Sequence, residues 1–176
     1  SMKKISSVLV YQNAWITVRE DMVDVGASSL SQFAVVDVVP GVVVLPIDAQ
    51  KNVFLVREFR YAVQKHTEEA VNGGIEPGET PLEAAKRELM EEAGLLSQKW
   101  LSLGQLEPGT SFVRAPMHLF VAEQIEETCQ HQRLIRQNKL KKVQLDSFIA
   151  DVLEATIDHA LTSLVGLMYQ MRVCQS

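Results

Sequence analysis

The run Gly73-Gly74-Ile75-Glu76-Pro77-Gly78-Glu79 leads directly into Thr80-Pro81-Leu82-Glu83-Ala84-Ala85-Lys86-Arg87-Glu88-Leu89-Met90-Glu91-Glu92-Ala93-Gly94, a glycine-rich loop joined to a helix with marked ends. Thr80 offers an N-cap oxygen, Pro81 suits the first helical position, and Glu83 completes a capping box with Thr80. Gly94 supplies the left-handed stop, so the spacing predicts a helix over Pro81–Ala93. Leu82, Ala85, Leu89 and Ala93 share one face, which should pack on a sheet. Glu88 and Glu92 lie four apart beside that stripe, and Glu91 stands one step further round. Arg87 precedes Glu91 by four and can pair with it. Carboxylates crowded on one helical edge repel one another unless positive charge sits among them. The glycines before the helix let the backbone bend and approach a ligand closely. A hard cation such as Mg²⁺ takes carboxylate and carbonyl oxygens, keeps several waters, and is commonly shared with substrate phosphates. This loop and helix offer that donor set.

Outward from the helix, the N-terminal third reads as strands. Val8, Val10, Trp15, Ile16 and Val18 sit in short segments broken at Asn13, and Gly26-Ala27-Ser28-Ser29 marks a turn before Phe33–Val39. Pro40-Gly41 is another turn. Val42–Leu45 and Val53–Val56, joined across Asp48–Asn52, have the pattern of a buried hairpin, and Met117–Ala122 reads as a later strand of the same sheet. Helical periodicity returns at Asp146–Ala155 and Asp158–Arg172. The expected class is α+β, with a three-layer arrangement of helices about a sheet.

Composition bounds the function. A chain of 176 residues, 47% hydrophobic and 22% charged, is neither disordered nor fibrous and can bury a core without a disulfide or a structural metal. A net charge of −5 weighs against broad binding to nucleic acid or to an anionic membrane. The longest apolar stretch, Gly41–Ile47, cannot span a bilayer. No charged, apolar leader opens the chain. Cys129 and Cys174 read as reduced thiols, and a cytoplasmic location is expected. Arg133, Arg136, Lys139, Lys141 and Lys142 form a basic cluster without interleaved aromatics, which reads as a solvated face or flexible loop rather than a base-stacking surface. His66, His118, His131 and His159 show no metal-ligand spacing.

The spacing from Gly73 through Glu79 to Arg87-Glu88-Leu89-Met90-Glu91-Glu92-Ala93-Gly94-Leu95 resembles the Nudix box. That resemblance implies an α/β/α sandwich and hydrolysis of a nucleoside diphosphate linked to another moiety, with Mg²⁺ or Mn²⁺. It implies Glu88 and Glu92 as principal metal carboxylates, Glu91 as a third participant, and Arg87 as the residue that orients them. Glu79 would brace the loop, and the carbonyl of Asn72 or Gly73 would complete the metal shell. The flanks are similar to the ADP-ribose and ADP-sugar pyrophosphatase branch. Leu55-Val56-Arg57-Glu58-Phe59-Arg60-Tyr61 resembles its strand before the box, and Glu69 its glutamate ahead of the glycine loop. Tyr11, Trp15 and Arg19-Glu20-Asp21 resemble its small N-terminal antiparallel sheet.

The branch implies residues 1–39 as an N-terminal subregion serving dimerisation and substrate, residues 40–176 as the catalytic domain, a homodimer, and a nucleotide-sugar substrate, ADP-ribose first. Arg57 and Arg60 suit phosphate or ribose oxygens. Trp15, Phe33 or Tyr61 could stack on a base, core packing being the alternative for Trp15 and Phe33. The chain departs from the branch at Val71 and Asn72, and in Thr110–Pro116, where the branch often carries a glutamate base. Glu88 then becomes the candidate base. The alternatives are an RNA-cap or dinucleotide pyrophosphohydrolase, and a non-catalytic nucleotide-sensing module.

Overall fold

The computed structural model describes residues 2–175. In chain order the elements begin β1 (Lys3–Gln12), β2 (Ile16–Gly26), β3 (Ser29–Val38), β4 (Gly41–Ile47), β5 (Asn52–Arg60), β6 (Lys65–Glu69) and β7 (Val71–Gly74). Then come α1 (Pro81–Glu88, continued by a π turn at Leu89–Ala93), β8 (Leu95–Leu96), β9 (Lys99–Leu106), β10 (Val113–Arg114), β11 (Met117–Glu123) and β12 (Glu126–Glu127). The chain closes with α2 (Cys129–Arg136), β13 (Leu140–Gln144), α3 (Leu145–Leu153) and α4 (Ala160–Cys174). No described helix is long and apolar enough to cross a membrane.

The chain divides into two compact units. One comprises the residues up to Pro40 with Glu107–Pro116. Its sheet runs β1-β2-β3-β10, antiparallel through the first three strands and parallel between β3 and β10. Asn13 turns β1 into β2 by accepting the amide hydrogens of Trp15 and Ile16 at 2.8 and 2.9 Å. β1 is exposed along its whole length. Trp15 and Phe33 are exposed too, at 71% and 38%, so neither is a core residue within this chain.

The other unit comprises Gly41–Leu106 and the chain from Met117 onward. Its mixed sheet runs β13-β5-β4-β11-β9, with β6 paired to β5 and β7 to β4. Strand alternation splits the core into two layers. Val43, Leu45, Ile47, Val53 and Leu55 face Phe148, Leu161, Val165 and Tyr169 of α3 and α4. Val42, Val44, Phe54 and Val56 face Ala84, Ala85, Leu89 and Leu134 of α1 and α2. β4 is buried on both sides, which explains its unbroken apolar run. The architecture is an α+β sandwich of helices on both faces of a mixed sheet.

Two expectations need correction, and a third is narrowed. The hairpin of β4 and β5 closes only at Ile47↔Val53. Beyond that pair the strands part to admit β6 and β7, which take over their ladders. Leu82 stays 36% exposed, and Ala84 takes its place on the sheet-facing side of α1. The small side chains at 84 and 85 fit the helix against the sheet, while the first turn emerges from the exposed loop. Of the two readings of the basic segment, the solvated face holds and the flexible loop does not: Arg133, Arg136 and Lys142 are exposed on α2 and β13, and Lys139 on the turn between them. Leu134 and Leu140 anchor the segment in the core as part of α2 and β13, Lys141 pairs with Glu68 at 2.7 Å, and Lys142 pairs with Asp48 at 3.3 Å.

Candidate active site

The loop and helix quoted above meet at Arg87. Thr80 and Glu83 form the reciprocal capping box, which fixes where α1 begins. One turn later the Arg87 guanidinium spreads over four partners. Its Nε and Nη2 donate to Glu79 at 2.7 and 3.0 Å, its Nη2 also donates to the Gly74 carbonyl at 2.9 Å, and its Nη1 donates to Glu88 at 2.8 Å. A longer bond of 3.3 Å reaches Glu91. The Glu79 hydrogen bonds are the main reason the guanidinium is held charged more firmly than usual. Arg87 therefore ties the glycine loop to the helix and fixes one oxygen of Glu88.

Glu88 lies directly over Gly73. A Cβ at that position would fall 2.1 Å from Glu88 Oε1, so only glycine leaves room for the carboxylate. Burial pushes the Glu88 carboxyl above its ordinary value, against the hydrogen bond and charge of Arg87, and Glu91 and Glu79 push it further. Glu92 accepts the Asn72 amide hydrogen at 3.2 Å. Its carboxyl is pushed up to about 7, first by burial and then by repulsion from Glu88 and Glu58. Glu91 is more exposed, with 59% of its side chain open.

The helix end that carries these glutamates is held by α2. Thr128 donates to the Gly94 carbonyl at 2.7 Å, Gln130 to the Met90 and Glu91 carbonyls at 3.2 and 3.0 Å, and buried His131 bonds Ala93 O at 2.8 Å. Gly94 adopts φ +62°, and a Cβ there would stand 2.3 Å from the His131 amide nitrogen. Carbonyls that a helix C-terminus leaves unpaired are thus capped by side chains of α2. The final turn is a π turn, the kind of local widening often found at functional sites.

A second cluster stands beside the first. Arg60 pairs with Glu69, its Nε donating at 2.9 Å, and its Nη2 reaches Asn72 Oδ1 at 3.2 Å. Glu69 also accepts from the Thr67 hydroxyl at 2.7 Å and from Asn72 Nδ2 at 3.0 Å. Burial alone would raise the Glu69 carboxyl, but the bonds from Arg60 and Thr67 outweigh it and bring it to about 2. Arg57 pairs with Glu68 at 3.4 Å and donates to the Asn138 side chain. Trp15 belongs to the N-terminal unit, exposed on the turn after β1.

A cleft of about 300 Å³ opens between Arg57, Glu58, Glu91, Glu92 and Lys139. Sequence reasoning singled out Arg57, Glu91 and Glu92 from this set. It passed over Glu58, although that residue sits between the two selected arginines. It noted Lys139 only as one member of a basic cluster. Nothing in the spacing of 133–142 tells which cation faces the cleft.

The donor set suits a hard divalent cation. Among the described residues no three histidine, cysteine, aspartate or glutamate side chains gather into a closed metal cage, and this holds for Glu88, Glu91 and Glu92 as well. Glu88 and Glu92 instead offer all-oxygen ligands beside glycine backbone, and both carry raised carboxyl pKa values that a nearby cation would relieve. A shell completed by water and substrate is what Mg²⁺ accepts.

Among known proteins, the chain is 28% identical over 123 residues to an ADP-ribose pyrophosphatase of Bacillus subtilis (strain 168), covering 69% of this chain but 61% of that protein. It thus spans about three fifths of that relative's length. It is 27% identical over 161 residues to a methanol dehydrogenase activator of Bacillus methanolicus, covering 90% of this chain and 80% of the other. A crystal structure of an ADP compounds hydrolase superposes with a TM-score of 0.80 at 20% identity, over 99% of this chain and 95% of that one, which establishes the shared fold. The NUDIX domain family model matches residues 37–148, well over half of the chain and the whole of the Arg87 cluster, and the chain belongs to that family.

Proposed function

We propose that this chain hydrolyses the diphosphate linkage of a nucleoside diphosphate sugar, ADP-ribose first among them, to a nucleoside monophosphate and a sugar phosphate. The observation that carries the reading is Glu88 held between Arg87 and the bare backbone of Gly73, with Glu92 half-buried beside it. Similarity to the Bacillus subtilis ADP-ribose pyrophosphatase supports the substrate class.

Glu88 and Glu92 would hold Mg²⁺ or Mn²⁺, with Glu91 and the carbonyl of Asn72 or Gly73 beside them. When bound, the ion lowers the pKa of water and offsets charge on the transferring phosphoryl group. Arg87 keeps Glu88 in place through a hydrogen bond that leaves the second carboxylate oxygen for other duty. Glu88 accepts the proton of the attacking water, because the acids flanking the 109–116 loop are engaged elsewhere. Glu107 accepts the Ala115 amide hydrogen at 2.8 Å, and Glu123 pairs with Lys99 at 2.9 Å and accepts from Tyr169 at 2.9 Å. Arg60, whose Nε and Nη2 are taken by Glu69, and Arg57, which holds Glu68 and Asn138, would turn their remaining N–H groups to phosphate or ribose oxygens.

The reading extends to a homodimer built on residues 1–39, with Trp15 serving the substrate, and to a cytoplasmic setting, consistent with free, exposed Cys129 and Cys174. ADP-ribose, ADP-glucose, GDP-mannose, a dinucleotide and capped RNA, each assayed with Mg²⁺ and with chelator, test the chemistry. ADP-ribose should be cleaved fastest, and chelator should abolish turnover. Failure to cleave any diphosphate with either Mg²⁺ or Mn²⁺ would overturn the reading.

A further inference from the structure

Lys139 is the member of the basic cluster that reaches the carboxylate cleft. Arg133 and Arg136 belong to α2, and Lys141 and Lys142 to β13, where they pair with Glu68 and Asp48. Lys139 stands in the turn between those elements. Asn138 adopts a left-handed conformation, φ 55°, and its amide hydrogen bonds Ile135 O at 2.9 Å, closing α2. The next amide, that of Lys139, bonds Leu134 O at 3.0 Å, and the Lys139 carbonyl accepts the Arg57 amide hydrogen at 2.8 Å. Both main-chain groups of Lys139 are therefore engaged, and its backbone position is fixed relative to β5. Its side chain has no structural duty: no ion pair or hydrogen bond of its ammonium forms among the described residues.

Lys139 lines the same cleft as Arg57, Glu58, Glu91 and Glu92. Arg57 and Lys141 share one carboxylate, Glu68, whereas Lys139 forms no ion pair among the described residues. The same two side chains, Arg57 and Lys139, also border a larger cleft of about 670 Å³ that includes Phe59 and Asn138. The two clefts thus share Arg57 and Lys139 as common lining residues.

We propose that Lys139, with Arg57, forms the cationic half of the site and binds the substrate diphosphate, opposite the carboxylates. The inference rests on the pyrophosphohydrolase reading for the identity of the anion. A compact ammonium suits this place, because it supplies a point charge that can follow a phosphate oxygen without demanding bidentate geometry. Lys139 binds and positions; it takes no part in proton transfer.

The probe is methylenediphosphonate, a non-hydrolysable diphosphate, titrated into the full chain with excess Mg²⁺ and followed by calorimetry. Lys139→Met should weaken binding about ten- to a hundredfold, and Lys139→Arg should restore it to within about threefold of wild type. Arg136→Met, which removes the same charge from the last turn of α2, should leave it unchanged. With ADP-ribose, Lys139→Met should act mainly by raising KM. Equal affinity of Lys139→Met and wild type, equal losses in Lys139→Met and Arg136→Met, or no binding by the wild type would each overturn the proposal. If diphosphonate binding depends on Lys139 while no nucleotide sugar is cleaved, the anion site stands and the substrate reading falls.

Discussion

Gly73 and Glu88 share a space that admits no further carbon. Alanine at 73 would set its Cβ 2.1 Å from Glu88 Oε1, and since the clash is with the end of a side chain, the carboxylate swings away rather than the strand unravelling. Gly73→Ala should therefore fold, by circular dichroism, yet turn over at least about a hundredfold more slowly, since misplacing a reacting group by an ångström costs that much. Turnover within threefold of wild type would show that the observed place of Glu88 is not needed. Glu92 makes a different test. Its carboxyl sits at about 7 in the folded chain against an ordinary value of 4.5, so between those pH values the folded state holds a proton that the unfolded state lacks. Stability of the metal-free chain should then fall as pH rises from about 4.5 to 7 and level off above. Glu92→Gln should remove that slope and, in urea at pH 8 with chelator, be as stable as wild type or up to roughly 2–3 kcal/mol more stable. With Mg²⁺ present the same variant should lose at least about a hundredfold in turnover, because an ionised ligand is gone. An unchanged pH slope in Glu92→Gln would show that another group supplies it.

The elements differ in how plainly the sequence announces them. α1 was readable end to end because its signals are local: a capping box at Thr80, proline at 81, glycine at 94. Thr80→Ala should lower stability by about 1 kcal/mol in chemical denaturation, the usual cost of a lost N-cap, and no loss would mean that tertiary packing alone sets the helix start. The π turn at Leu89–Ala93 was not readable, since it answers to α2 capping the helix end from a segment distant in the chain. α2 itself carries little apolar signal, with His131 and Leu134 its only buried residues, and was missed. β6 and β7 were missed for a related reason: Lys65-His66-Thr67-Glu68-Glu69 is polar and Val71–Gly74 is half glycine, so pairing with β5 and β4 creates them rather than propensity. The site was legible in the same proportion. Glu88, Glu91, Glu92 and Arg87 lie on one helical edge, whereas Lys139 enters the cleft only through a turn fixed by β5. At the 109–116 loop, Glu107 closes its own loop and Glu123 is committed to Lys99 and Tyr169. Glu107→Gln and Glu123→Gln should each lose less than about tenfold in turnover, and abolition of turnover with metal binding intact would move the proton acceptor from Glu88 to that residue.

At the scale of the whole molecule, the N-terminal unit exposes more apolar surface than a solitary sheet of its size can keep in water. Ile5, Val8, Leu9, Val10 and Tyr11 of β1 are each more than half exposed, and Leu30 and Trp15 add to them at 61% and 71%. Scattered apolar side chains on a surface need no explanation, but a contiguous row does. β1 is moreover an edge of its sheet, with one side of its backbone unpaired by β2. A small sheet is marginal on its own. A second copy of the chain would cover both the row and the edge, which agrees with the dimer expected from the ADP-ribose pyrophosphatase branch. Sedimentation equilibrium at micromolar concentration should therefore give twice the chain mass. The double substitution Val8→Lys with Val10→Lys places two charges on exposed β1, Val10 at its bulge against β2, and should yield a folded monomer, because both side chains are more than half exposed. A wild-type monomer at that concentration, or a dimer undisturbed by the two lysines, would mean that β1 is not the surface through which copies meet.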